Sequence, residues 1–254
     1  MTAIPGVVLY SGKSKIANQR VVSILTFHSE NGKTGDMGQV WILPLEISPT
    51  DAIKQNNNSG ACGNCALHGW FDPSVGKVVN RVCYVNVGQA PNGIWKAYQR
   101  GNYPVYQPRL HNHLIRGREI RLGAYGDPAA LPIPLLRKIV GLASMHTGYS
   151  HQCYSIPRQR ADKIAQWCMV SCENEAQHNE CLRRGWRAFT VVRPDQKRPA
   201  NSIECPHYSR GIQCIDCKLC DGCEKPKKSI YVIAHAKTGL NLGAVQDSFS
   251  AQAV

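Results

Sequence analysis

The sequence predicts an α/β fold of parallel β/α units, a partial or modified barrel, carrying a cysteine-rich metal-binding insertion. Three observations predict it. Short β-branched and aromatic runs alternate with helical patterns over residues 79–236, the rhythm of β-α-β units paired in parallel through right-handed crossovers. The strand-like run E-I-R-L-G-A (119–124) ends in Y-G-D-P, which places Asp127 beyond a strand's carboxyl end, where ligands collect in such folds. Finally, a cysteine-dense stretch at 205–223 lies between strand-like runs at 187–192 and 229–236, so it reads as an insertion rather than a detached tail. One domain is expected over residues 1–240, with a C-terminal tail at 241–254.

The 254 residues, 28.1 kDa, suffice for a sizeable core. Twelve cysteines are too many to be incidental and too few for the disulfide scaffolds of small secreted domains. No basic segment followed by an apolar core opens the sequence, and no window approaches a membrane-spanning apolar run. A cytoplasmic protein without a membrane partner is therefore expected, in a compartment where thiols stay reduced. The formal charge of +13, from 30 basic and 17 acidic residues, favours polyanions and makes nucleic acid a candidate partner.

Taken in order, residues 7–10 and 20–27 read as strands. In N-G-K-T-G the upstream glycines of a phosphate loop are missing, so Lys33 and Thr34 are left as a turn that can meet an anion. Pro44 makes the apolar run 39–47 a short or edge strand. A polar loop, 54–60, delivers Cys62 and Cys65, and V-V-N-R-V-C-Y-V-N-V reads as a strand bearing Cys83. A short helix is expected around 94–99. Around it, Arg100, Arg109, Arg116 and Arg118 flank Tyr98, Tyr103 and Tyr106, a mixture that can stack single-stranded nucleic acid or simply pack at helix edges. His111 and His113 share one side of a strand, if the segment is one. Pro132 and Pro134 open a helix with Leu135, Leu136, Ile139, Val140 and Ala143 as its apolar stripe. A polar loop at 146–154, with strand character at its start, holds His146 and His151, candidate acid–base groups or cluster neighbours. Helix, strand, helix and strand then follow at 158–166, 167–170, 173–184 and 187–192, with Gly185 as a stop. Cys168 is expected in the core, and Cys172 stands at a strand end.

The thiols carry the functional expectation. Cys214, Cys217 and Cys220 recur every third residue, with Cys205 as the outside fourth thiolate and Cys223 as the alternative ligand. That spacing suits a [4Fe-4S] cluster, with zinc as the alternative. Cys62, Cys65 and Cys83 make a second, three-thiolate set, which would leave one iron of a cubane open. His68 as a fourth ligand would instead close the site and favour zinc.

The motifs N-G-K-T-G, C-G-N-C-A-L-H-G, R-V-C-Y-V-N-V-G-Q-A-P, R-L-G-A-Y-G-D-P, H-T-G-Y-S-H-Q and G-W-R-A-F-T-V-V, then C-P with the later cysteines, occur in order across residues 30–235. In this the chain resembles the phage-associated gene product 88 family. The resemblance implies Cys62, Cys65 and Cys83 as one set and Cys205, Cys214, Cys217 and Cys220 as another, with Cys223 extra. It implies a viral or mobile-element context, hence host cytoplasm, and no activity. The layout is also similar to that of radical S-adenosylmethionine enzymes, although their C-x3-C-x2-C spacing is absent; that likeness implies S-adenosylmethionine at the open iron. The expected function is an iron–sulfur protein of redox or radical type with an electron donor as partner. The alternative is a zinc-stabilised nucleic-acid-binding accessory protein.

Overall fold

The computed structural model describes residues 4–83 and 85–234. The tail expected at 241–254, and the end of the strand expected at 229–236, lie outside the described residues.

The chain opens with β1 (Gly6–Lys13), β2 (Arg20–Thr26) and β3 (Gly38–Pro44) as an antiparallel meander. Pro44 does not make β3 an edge. The strand lies between two neighbours, and Pro44 is its last residue, where a missing N–H is tolerated. Ser48 caps α1 (Pro49–Lys54) by accepting from the Asp51 N–H. A single turn, α2 (Ser59–Cys62), precedes a small hairpin of β4 (Trp70–Asp72) and β5 (Lys77–Val79). Cys83 is not in a strand. The pairing ends at Val79, Asn80 adopts φ 51°, and the Cys83 N–H turns instead to the Leu67 carbonyl at 2.7 Å.

Two helices follow, α3 (Ala90–Gln99) and α4 (Pro108–Ile115). His111 and His113 are therefore on a helix, where two residues apart means opposite sides: His111 is buried and accepts from the Gln107 N–H, while His113 is exposed.

The regular part of the chain comes next. It runs β6 (Glu119–Tyr125), α5 (Ile133–Leu142), β7 (Met145–Ser150), α6 (Arg158–Trp167), β8 (Met169–Cys172), α7 (Glu175–Arg183) and β9 (Ala188–Val192). The strand character expected at the start of the 146–154 segment is that of β7, which takes in residues 146–150. Asn174 caps α7 by accepting from the Gln177 N–H, and Gly185 follows its end at φ 73°. Then come β10 (Ser202–Glu204), the short turns α8 (Pro206–Arg210) and α9 (Cys214–Cys217), and β11 (Ser229–Ile233).

One nine-stranded sheet results, in the order β1-β2-β3-β6-β7-β8-β9-β11-β10, and every ladder from β3 onward is parallel. Strands β6 to β9 are laid down in chain order. With crossovers of one hand, sequential laying places the connecting helices on the same face, which is how a barrel is wound. The fold is thus a mixed α/β fold with a barrel-like sheet.

Alternation along the strands separates the two faces. Ile120, Leu122, Val170 and Ala188 point into the main core with Leu136 and Ile139 of α5, Ala161 and Ile164 of α6, and Cys181 of α7. Each fully buried leucine or isoleucine there contributes roughly 1.5–3 kcal/mol. Cys168 is 1 % exposed in this core, as expected. Across the other face, Val22, Ile24, Leu43 and Tyr125 pack under Ile94 and Trp95 of α3. Further along, Met169, Phe189, Ile230 and Val232 pack under Cys205 and Cys220. Between these two covers, on the odd-numbered face, the sheet is left open.

Candidate active site

The opening is a cavity of about 160 Å³. Its floor is the odd-numbered face of four adjacent parallel strands: Arg121 and Tyr125 of β6, Tyr149 of β7, Ser171 of β8, Phe189 and Val191 of β9. Its rim is made by residues just past the strand ends, Asp127, His151 and Glu173, facing Cys62, Cys65 and Cys83 from the segment after α2. Ligands gather at this edge of a parallel sheet because its strands release their loops side by side there.

Asp127 fixes the rim. Its carboxylate accepts from the Ala129 N–H at 2.9 Å, the Ser150 hydroxyl at 2.8 Å and the His151 N–H at 2.7 Å. Burial raises its pKa, against those hydrogen bonds and the charge of His151. The Asp127 N–H in turn donates to the Ala61 carbonyl at 2.7 Å, tying the strand-end turn to α2. Gly126 makes that tie, at φ 80°, with its α-carbon against the Ile42 carbonyl where a side chain has no room. Gln152, 2 % exposed, adds a second tie by donating to the Cys62 carbonyl at 3.0 Å, and the Asn64 amide donates to Ser155 at 2.9 Å. The cysteine-bearing turn is thereby held against the end of β7.

Held this way, the Cys65 side chain is near enough to His151 to raise its pKa, and His151 Nδ1 lies 2.7 Å from Glu173 Oε1. Burial alone lowers the His151 pKa; the side chains of Cys65 and Glu173 outweigh it and carry the pKa well above the ordinary histidine value. Glu173 is itself positioned by its N–H, which donates to the Gln177 side chain at 2.8 Å. Cys62, in contrast, is a neutral thiol: burial, then the neighbouring Cys65 and Cys83, push its pKa well up. Burial lowers the pKa of His68, whose Nδ1 turns to the Gly69 carbonyl.

The second thiol group sits beyond the Arg121 end of the cavity. Burial first, then neighbouring thiols that include Cys205, raise the pKa of Cys214, Cys217 and Cys220, the last to about 12. Cys223 lies apart, its N–H on the Ala165 carbonyl at 2.9 Å and its side chain against the main core. The loop is fastened by Arg187, which donates to Asp221 at 2.8 Å and to the carbonyls of Leu219, Gly222 and Lys228 at 2.7, 2.6 and 2.8 Å. The turn holding Lys33 and Thr34 accepts from the N–H groups of Cys214 and Ile215 at 2.9 and 3.1 Å, and the Lys33 side chain lines the cavity.

The metal expectation is corrected. Among the described residues no three or more His, Cys, Asp or Glu side chains form a group that could hold a metal ion. The sulfurs have different side-chain neighbours: Asn58 beside Cys62, His151 beside Cys65, and Tyr149 beside Cys220. The cysteine-rich stretch is therefore not a metal-binding insertion. Neither a [4Fe-4S] cluster nor zinc, nor S-adenosylmethionine at an open iron, is supported. The iron–sulfur and zinc-stabilised readings of function fall with them.

Of the residues singled out in the sequence, Cys62, Cys65, Cys83, Asp127 and His151 come together at one rim, with Lys33 and Cys172 also lining the cavity. His146 does not join them. It lies on the even-numbered side of β7, with its pKa lowered by burial. Tyr103 is buried, Tyr98 packs under the sheet, and the Tyr106 hydroxyl meets Asn112, so these tyrosines serve as packing. Glu173 and Arg121 were missed, although Glu173 stands just past a strand just as Asp127 does. No helix among the described residues is long and apolar enough to cross a membrane. Comparison with known protein families, with curated proteins and with solved structures finds no match for this chain.

Proposed function

We propose that the chain is a thiol-dependent enzyme of the acyl-transfer class, with Cys65 as nucleophile, His151 as its base and Glu173 as the group that orients the base. The observation that carries this reading is the constellation itself: His151 Nδ1 at 2.7 Å from Glu173 Oε1, with Cys65 beside the same ring, all three on the rim of a cavity at the strand ends. A nucleophile hydrogen-bonded to a base that is oriented by a third group is the general arrangement for covalent catalysis. In the reaction the Cys65 sulfur, its proton already held by the charged His151 ring, forms a bond to the substrate's carbonyl carbon. The imidazolium returns a proton to the leaving group as the old acyl bond breaks, and water or another acceptor then releases the acyl group. A reducing compartment, the cytoplasm expected from the sequence, keeps Cys65 in the reduced form this requires.

Iodoacetamide labelling read by peptide mass spectrometry tests the proposal. Cys65 is expected to react faster than the partly exposed Cys217 of the same molecule. His151→Gln and Glu173→Gln are expected to slow Cys65 alone by about tenfold or more, in keeping with the usual size of general-base assistance. Equal rates at Cys65 and Cys217 that neither substitution changes would make Cys65 an ordinary structural thiol.

A further inference from the structure

The same cavity is also lined by the cationic side chains Lys33, Arg81 and Arg121. Two carboxylates line the cavity, and both are engaged: Asp127 by its three donors and Glu173 by His151. Arg81 donates to the carbonyls of His68 and Val85 at 2.9 and 2.8 Å. Arg121 differs. It rises from the middle of β6 into the cavity, its Nε is buried with no hydrogen-bond partner, and it has no carboxylate ion pair among the described residues. Its guanidinium lies 5.8 Å from the centre of the Tyr149 ring, which stacks edge-on with Phe189 at 4.7 Å. A buried guanidinium N–H without an acceptor is costly unless a ligand supplies one.

We infer that Arg121 is the recognition residue for a carboxylate on the substrate, held against the Tyr149–Phe189 wall while the reacting carbonyl lies at Cys65. The inference rests on the proposed role of Cys65 for the second half of that statement only. A carboxylate matches the planar two-donor fork of guanidinium. A cavity of about 160 Å³ admits a compound of few heavy atoms, so the class is a small acyl compound with a second, free carboxylate.

Two measurements on the full chain separate the parts. In the first, propionate and its uncharged counterpart propionamide are compared for their effect on thermal stability. Propionate alone is expected to raise the melting temperature, in the parent and in Cys65→Ala, and to lose this effect in Arg121→Gln. In the second, Cys65 is alkylated by iodoacetate or by iodoacetamide; in both, sulfur forms a bond to the reagent's methylene carbon and iodide leaves. The ratio of the two rates at Cys65, charged over neutral, is expected to fall about tenfold in Arg121→Gln, the size expected for loss of a charge-assisted pair. Arg121→Lys, which keeps the charge and loses the fork, is expected between the two and guards against misfolding of the glutamine variant. Propionate stabilisation without Cys65 labelling would leave the carboxylate site standing and remove the nucleophile. Cys65 labelling with no Arg121-dependent preference in either measurement would overturn the carboxylate site and leave the nucleophile.

Discussion

His151 shows how much one side chain can depend on groups from separate elements. Its ring is charged by Cys65 from the turn after α2 and by Glu173 from the end of β8, while its backbone is fixed by Asp127 from the end of β6. The raised pKa is also a statement about stability. The folded state holds the His151 proton more tightly than the unfolded chain does, so its contribution is fully present below the ordinary value of 6.5 and is lost as pH rises through the folded value. Cysteines begin to titrate near 9.0, which leaves a window between the two in which the loss belongs to His151. Denaturant midpoints measured across that window should fall in the parent protein and stay flatter in His151→Gln. The residues at this rim were only half legible in the sequence. Asp127 and His151 follow turn-bearing and strand-like motifs, whereas Glu173 hides in S-C-E-N-E as one of several polar residues opening a helix. Arg121 reads as an ordinary strand residue, because nothing local says that its face of the sheet is left uncovered.

At the level of elements, the cysteine loop is the instructive case. Its three-residue spacing was read as a wrapping of thiolates around a cluster, but spacing constrains only where α-carbons can go. The direction of each sulfur is set by the surroundings, and those surroundings come from other strands: Tyr149 of β7 meets Cys220, and Arg187, just ahead of β9, holds the carbonyls around it. Arg187 has a side chain 6 % exposed and is neutralised by Asp221, which also pairs with Lys227 at 2.6 Å. Replacing one partner of such a buried pair costs about 3–5 kcal/mol because the other is stranded. Arg187→Met should therefore lower stability by that amount in urea denaturation and speed the alkylation of Cys220 and Cys217, while Arg187→Lys, with one point charge for a five-donor fork, should recover only part of the loss. The strands and helices themselves were far more legible. Apolar periodicity and Gly185 after α7 place the β6-to-β9 stretch closely. The errors fell where tertiary pairing decides, as with Cys83, whose β-branched neighbours suggest a strand for which the fold offers no partner.

For the molecule as a whole, the winding explains why a site exists at all. Helices α5, α6 and α7 bury one face of the sheet, and the other face is roofed by two unrelated covers that do not meet. The class of fold could be read from the alternation of strand and helix patterns. The antiparallel meander joined to its edge could not, because β3 pairs with its neighbour in sequence, β2, on one side and with the distant β6 on the other. The closure of the second roof spans most of the chain: the Gln213 side chain donates to the Gly32 carbonyl, 181 positions away, and Cys214 and Ile215 bond to the backbone of Lys33 and Thr34. Contacts of such separation form late, since the entropy of closing a long loop precedes any reward. A ribosome adds roughly 5–20 residues per second, so the turn bearing Cys62 and Cys65 emerges many seconds before residues 213–215 can cover their side of the cavity. During that interval Cys62 and Cys65 stand in the open, and the chain's exposure to oxidation is greatest before it is finished.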